Sequence, residues 1–120
     1  MVLNFTPHDI TLFTDNGETV VFPAESQPAR VKEVWMDRAW GMSINPDGEG
    51  ENFDVPVGWR LLGEIEGLPY PQPGTYLICS SIVAQKAWKN GRGDVIVPAD
   101  FVRDDAGRIV GCRRFEVIPD

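Results

Sequence analysis

Two serines stand where a strand-like run ends and a helix-like run begins. Residues 75–79 are apolar almost throughout, whereas Ser80 and Ser81 open a segment with helical periodicity. At the start of a helix the backbone N–H groups lack intrahelical acceptors and the helix dipole is positive, so serine hydroxyls there can help to bind a phosphate or a carboxylate. The junction predicts an anion site; the simpler interpretation is that one serine only caps the helix.

The sequence has one histidine, His8, directly after Thr6 and Pro7. Proline fixes the backbone at this point, and Asp9 can orient the imidazole ring. His8 is therefore a candidate phosphate donor, acid or base, and Thr6 a candidate ligand contact. The alternative is a turn residue whose ring bonds a neighbouring carbonyl. A single histidine excludes histidine-rich metal sites and paired-histidine phosphoesterase chemistry.

Arg92 and Trp88 complete the predicted ligand-binding set. Arg92 lies on a turn between two glycines, where its guanidinium can reach a phosphate or pair with Asp94. Trp88 belongs to the apolar stripe of the predicted helix, and its indole can also stack on a nucleotide base. For Arg92, the salt bridge to Asp94 is the favoured use.

The sequence predicts no catalytic residue, metal ion or cofactor. Neither serine lies in the Gly-x-Ser-x-Gly motif of serine hydrolases, and the glycines around Arg92 do not form a phosphate-binding loop. Glu64 and Glu66 share one face of a predicted strand, where two carboxylates can bind a cation or exchange protons. A solvated strand face explains them equally well.

Composition predicts one compact domain spanning residues 1–120. The chain is 42% hydrophobic and carries a net charge of −7, which disfavours general binding to nucleic acids. No apolar run is long enough to cross a bilayer and no signal peptide is evident, so a cytoplasmic, non-membrane protein is expected. Cys79 and Cys112 are expected to be buried thiols, and the alternative is a disulfide between neighbouring strands.

The element pattern predicts an α+β fold, with a mostly antiparallel, twisted or barrel-like sheet and one principal helix at about 81–90. Hairpins are predicted at 10–22 and 99–115, and single strands at 29–34, 57–65 and 75–79. Residues 67–74 are rich in proline and predict an extended connection. Residues 94–98 predict a separate strand that ends at Pro98.

Residues 37–54 combine glycine, proline and acidic side chains, and they predict a flexible loop or the tip of a long hairpin. Trp35, Trp40 and Trp59 flank this segment. They are either a stacking platform beside a flap or, as the favoured interpretation, aromatic residues that close the core beneath it.

Four segments together resemble a family of short, uncharacterised proteins common in bacteriophages and prophages, which share an N-terminal Asn-x-Thr-Pro-His motif. The matching segments are Asn4-Phe5-Thr6-Pro7-His8, residues 63–69 with 73–75, Ser80-Ser81-Ile82-Val83-Ala84 and residues 107–112. The resemblance spans most of the chain. The chain departs from the family pattern at Phe5, where leucine is expected, and in a long insert at 35–53. It implies a phage-related setting rather than a reaction.

These features favour a small phage-type accessory protein that binds a small anionic ligand, such as a host immune signalling nucleotide, and sequesters it in the host cytoplasm. The expected binding residues are Thr6, His8, Ser80, Ser81, Trp88 and Arg92, and a homo-oligomer is expected. The alternative is a protein-interaction module that inhibits a host enzyme or joins a phage assembly. A phosphodiester hydrolase or lyase with His8 as base is a third hypothesis.

Overall fold

The computed structural model describes residues 1–35, 40–58 and 60–119. These residues divide into two compact units, one comprising 1–31 and 65–120 and the other 32–64. The described elements, in chain order, are β1 (Val2–Asn4), β2 (Ile10–Phe13), β3 (Thr19–Phe22), β4 (Arg30–Trp35), β5 (Trp40–Ile44), β6 (Phe53–Val57), β7 (Arg60–Glu66), β8 (Tyr76–Ile78), α1 (Ser81–Lys89), β9 (Val95–Arg103) and β10 (Ile109–Glu116).

The first unit is built on a six-stranded sheet in the order β1-β8-β9-β10-β2-β3. The hairpins β2–β3 and β9–β10 are antiparallel, while β1–β8, β8–β9 and β10–β2 are parallel. An isolated bridge between Asn4 and Ala24 brings the chain after β3 back to β1, so the sheet is nearly closed into a barrel. The predicted α+β class, with a barrel-like sheet and one principal helix, is confirmed.

The helix α1 connects the parallel strands β8 and β9 and covers one face of the sheet. Its buried stripe is Val83, Ala84 and Ala87, at the spacing that the sequence predicted. The helix ends at Lys89, and Gly91 follows with a φ of +85°, a left-handed conformation that glycine adopts without strain. The stripe packs on Ala29, Leu77, Cys79, Val95 and Val97.

Asn4 is a fully buried polar residue at the point where the barrel closes, with 1% of its surface exposed. Its amide nitrogen donates to the backbone oxygens of His8 at 2.8 Å and Phe22 at 2.9 Å. Its side-chain oxygen accepts hydrogen bonds from the backbone N–H of Thr6 at 2.9 Å and from the Thr6 hydroxyl at 2.6 Å. One side chain therefore joins β1, the turn after it and the end of β3.

The prediction that Pro98 ends a strand is wrong, because β9 runs without interruption from Val95 to Arg103. The backbone oxygen of Ile96 accepts a hydrogen bond from Cys79 N–H at 2.9 Å, so it points toward β8. The backbone nitrogen of Pro98, two residues further along β9, faces the same side of the strand. At that level β8 has already ended. No strand needs the missing N–H there, and the proline is accommodated.

The second unit contains the antiparallel pair β5–β6, with Met42 opposite Val55 and Ile44 opposite Phe53. Residues 40–44 and 53–57 are therefore strands, and residues 45–52 connect them, which agrees with the hairpin alternative for this region. Strands β4 and β7 form a separate two-stranded sheet.

Replacing Asn4 by alanine is expected to lower the free energy of unfolding by about 2 to 4 kcal/mol, because the Phe22 carbonyl oxygen and the Thr6 backbone N–H lose their partner and the His8 carbonyl oxygen loses one of its two donors. Urea denaturation followed by circular dichroism measures the loss. The matched control is Asn52→Ala on the exposed β5–β6 connection, which should change stability by less than about 0.5 kcal/mol. Equal stability of the two variants would contradict the role given to Asn4.

Gly111→Ala is expected to destabilise the barrel by about 2 kcal/mol or more. A β-carbon at this position would lie 2.4 Å from the Phe13 ring and 2.8 Å from the Thr11 backbone oxygen. The backbone oxygen cannot move away without breaking the β2–β10 pairing. Gly41→Ala, where a β-carbon meets no atom within 4 Å, is the control in the same denaturation experiment and should behave like the wild type.

Candidate functional site

Four of the six predicted binding residues lie at one edge of the sheet. The strands β1 and β8 are parallel with Asn4 opposite Ile78, and Phe5 N–H donates to the Ile78 backbone oxygen at 2.8 Å. The carboxyl ends of neighbouring parallel strands meet at a common edge, which is where α/β proteins commonly bind ligands. Thr6 and His8 follow β1, and Ser80 and Ser81 follow β8; these four residues are called the β1/β8 edge.

The helix α1 begins at this edge without a side-chain cap. Ser80 occupies the N-cap position with φ −65° and ψ 159°, but its hydroxyl makes no capping hydrogen bond, and the first turn holds no acidic residue. The predicted cap position is thus confirmed, and the predicted hydroxyl cap is not formed. Both serines are exposed, as is Ile82 after them, whereas Val83 is buried.

His8 presents an exposed ring at the same edge, while its backbone is fixed. The His8 carbonyl oxygen accepts hydrogen bonds from Asn4 at 2.8 Å and from the Thr6 hydroxyl at 2.9 Å. Asp9 Oδ1 accepts a hydrogen bond from the backbone N–H of Ala24 at 2.8 Å, and among the described residues no hydrogen bond joins Asp9 to the His8 ring. The ring of His8 therefore projects from a rigid turn.

Thr6 forms hydrogen bonds within the turn that follows β1. Its hydroxyl lies 2.6 Å from the Asn4 side-chain oxygen and 2.9 Å from the His8 carbonyl oxygen, and both neighbours are acceptors. A hydroxyl carries one proton, which these two acceptors share. Thr6 thus positions His8 through the backbone.

Arg92 lies at the opposite end of α1 from the β1/β8 edge, roughly 12 Å away along a nine-residue helix. Its guanidinium donates to both carboxylate oxygens of Asp94, at 2.9 and 2.8 Å, and to the Pro69 backbone oxygen at 2.9 Å. The salt bridge that the sequence favoured for Arg92 is therefore confirmed. These hydrogen bonds lower the pKa of Asp94.

Trp88 also lies near the C-terminal end of α1. Its indole N–H donates to the backbone oxygen of Val95 at 3.2 Å, which attaches the last turn of the helix to β9. The structure thus places Trp88 and Arg92 together, and away from His8, Ser80 and Ser81.

The two cysteines are free thiols, and both are buried, as the sequence predicted. Burial, with a smaller contribution from the charge of Asp94, raises the pKa of Cys79 to about 12. Burial also raises the pKa of Cys112. A protonated, buried thiol is a poor nucleophile, so Cys79 gives no catalytic group beside Ser80.

The remaining candidates add no site to the β1/β8 edge. Glu64 and Glu66 are exposed on β7, in agreement with a solvated strand face. The proposed tryptophan platform lies outside the described part of the chain, which excludes Trp59 and the side chains of Trp35 and Trp40. Among the described residues, no three His, Cys, Asp or Glu side chains are grouped closely enough to hold a metal ion.

Asn4 is the residue whose importance sequence reasoning missed, because asparagine near the start of a strand usually indicates a turn or an exposed position. The available signal was its place in the Asn-x-Thr-Pro-His motif. A threonine two residues later supplies donors to the asparagine oxygen, and a proline then bends the chain back toward it.

Comparison with protein-family models, with curated proteins and with solved structures finds no match. Within the residues that the structure describes, no helix has the length and apolar character needed to cross a membrane.

The Arg92–Asp94 pair predicts a defined dependence of stability on pH. A carboxyl whose pKa is lower in the folded chain stabilises the fold fully above the unfolded pKa of about 4, and this contribution is lost as the pH falls through the lower folded pKa. Arg92→Met should therefore be less stable than the wild type by about 1 to 3 kcal/mol at pH 7, and by less at pH 3. Urea denaturation between pH 3 and 7 measures this difference.

The control for this experiment is Arg113→Met, since Arg113 is exposed and forms no ion pair among the described residues. Its stability should follow the wild type at every pH. A constant difference between wild type and Arg92→Met across the pH range would show that Asp94 is not stabilised by Arg92.

Proposed function

We propose that this protein binds a small anionic ligand, of the size of a nucleotide, at the β1/β8 edge. The observation that carries the proposal is the start of α1, where Ser80 and Ser81 are exposed, no side chain caps the helix and no acidic residue occupies the first turn. Uncapped amides and the positive end of a helix dipole favour an anion. The exposed ring of His8 lies at the same edge and supplies a further donor.

The neighbouring charges restrict the kind of anion. Asp9 follows His8 in the chain, and the backbone of Glu25 lies beside the end of β1, because the Glu25 N–H donates to the backbone oxygen of Asn4 at 2.9 Å. Two acidic residues in these positions oppose a high density of negative charge. A ligand with one or two phosphate charges and further hydrogen-bonding groups fits better than a polyphosphate or a nucleic acid backbone.

Binding without turnover is the favoured mode. Cys79 is protonated and buried, and the serine hydroxyls have no histidine or carboxylate within hydrogen-bond distance among the described contacts. Nucleophilic catalysis requires such a base beside the hydroxyl. In the phage setting that the resemblance implies, a protein of this kind would act in the host cytoplasm. It would bind a signalling nucleotide and so keep the nucleotide from reaching its receptor.

Replacing both serines, Ser80→Ala with Ser81→Ala, is expected to weaken binding by about 1 to 3 kcal/mol, because two donors to the anion are lost. Since neither hydroxyl caps α1, the fold should lose less than about 0.5 kcal/mol. Isothermal titration with inorganic phosphate and a panel of mono- and dinucleotides measures the affinity, and thermal unfolding measures stability.

Ser43→Ala, on β5, is the matched control and should bind like the wild type. His8→Ala tests the ring separately, because the His8 carbonyl that Asn4 holds is retained. Chromatography of the recovered ligand distinguishes the hypotheses: an intact nucleotide supports sequestration, and a cleaved one supports the hydrolase. Unchanged affinity in the double serine variant would contradict the proposed site.

A protein-interaction role is the second candidate, and it has its own observation. Phe101, Ile109 and Val110 are exposed apolar residues around a depression of about 100 Å³, beside Pro98 and Gly111. That volume accommodates about one aliphatic side chain, which is the usual scale of an anchor residue in a protein interface. This candidate is favoured if no ligand of the panel stabilises the protein.

A further inference from the structure

The hairpin β5–β6 has a face on which all of the described side chains are apolar. Residues opposite each other in an antiparallel pair project to the same face, and alternate residues share it. Met42, Ile44, Phe53 and Val55 therefore lie on one face, while Ser43 and Asp54 lie on the other. Met42 is 45% exposed, Ile44 38% and Phe53 54%. A two-stranded ribbon with an exposed apolar face is marginal in water and requires a further strand or cover.

The position of Pro56 determines which edge of this hairpin is open. Pro56 lies opposite Gly41 and has no N–H to donate. The pair is therefore a non-hydrogen-bonded one. In such a pair the backbone N–H and C=O groups of each residue point outward, which means away from the partner strand of the hairpin. Because such pairs alternate along the ladder, Ser43 and Asp54 also form one, and their backbone groups point outward as well.

The two outer edges consequently differ. The outer edge of β6 presents Pro56, which cannot donate, and the charged residue Asp54; both are devices that prevent pairing with another strand. The outer edge of β5 presents the N–H and C=O groups of Gly41 and Ser43, with neither proline nor charge. In the described part of the chain, β5 pairs with β6 alone.

We propose that β5 pairs with β5 of a second copy of this chain, antiparallel and about a two-fold axis. With Met42 opposite Met42 of the other copy, Gly41 of each copy lies opposite Ser43 of the other. The outward groups of those two residues then exchange hydrogen bonds, which is the pattern that an antiparallel ladder requires. The strand is thus complementary to itself.

The charges also favour this antiparallel arrangement of two copies. The connection between β5 and β6 carries Asp47, Glu49 and Glu51. Antiparallel pairing directs the two acidic connections to opposite ends of the four-stranded sheet, whereas parallel pairing would bring them together. The resulting sheet β6-β5-β5-β6 has one continuous apolar face built from both copies.

Sedimentation equilibrium of the full chain tests the proposal, and the wild type should be a dimer at micromolar concentration. Ser43→Pro removes an N–H that points outward and leaves the β5–β6 ladder intact, so the dissociation constant should rise by about tenfold or more. Asp54→Pro removes the equivalent N–H from the other edge and is the matched control, which should remain dimeric. Circular dichroism establishes that both variants are folded.

A cross-link tests the register directly. In Met42→Cys the two new thiols would lie opposite each other across the two-fold axis, so oxidation should give a covalent dimer on a non-reducing gel. In Val55→Cys they would be three strand spacings apart, roughly 14 Å, and should not cross-link. The native cysteines are buried and do not interfere.

A monomeric wild type would overturn the proposal, since the β5 edge would then serve a strand of another protein or remain open. A dimer that survives Ser43→Pro, or that is lost equally in Asp54→Pro, would overturn the assignment to this edge. Failure of Met42→Cys to cross-link in a dimeric protein would do the same.

Discussion

The structure of the first unit depends on the buried amide of Asn4. A barrel-like sheet must join its first and last strands, and among the described residues the backbone ladder at this junction is one bridge, between Asn4 and Ala24. The Asn4 side chain completes the junction, because it bonds the turn after β1 and the end of β3 at the same time. All of its hydrogen-bonding groups are used, so the cost of burying an amide is offset. The bond from the Asn4 amide to the His8 carbonyl oxygen also fixes the backbone of His8. The closure of the barrel and the position of His8 at the β1/β8 edge therefore depend on the same side chain.

The two ends of α1 have different roles. At its C-terminal end, Trp88 bonds β9, and Arg92 holds both Asp94 and the proline-rich connection through Pro69. These contacts attach the helix firmly to the sheet. Its N-terminal end has no side-chain cap and carries two exposed serines. A helix that is held at one end and open at the other can present its dipole to a ligand without moving, which limits the conformational entropy that binding would cost.

Local patterns predicted the local elements well. The apolar stripe of α1, its glycine end and the β2–β3 hairpin are each encoded within about ten residues, and the structure contains them. What the sequence could not supply depends on contacts between distant segments. Whether β8 and β9 run parallel, and whether Pro98 meets a neighbouring strand, is decided by where β8 ends. Equally, Asn4 acts on Phe22, 18 residues away. The division of the predicted binding set, by contrast, follows from the predicted helix itself, since Ser80 and Arg92 lie at its opposite ends.

The central claim is that the uncapped start of α1 receives an anion from solution, beside a histidine held by the Asn4 turn. Amide chemical shifts in ¹H–¹⁵N NMR spectra of the labelled protein, recorded during titration with phosphate and then with a mononucleotide, test it most directly. The account predicts saturable shifts that are largest for the backbone amides of Ser81 and Ile82, with a smaller change at His8. Shifts that are absent there, or that are largest around Arg92 or on the β9–β10 hairpin, would contradict it.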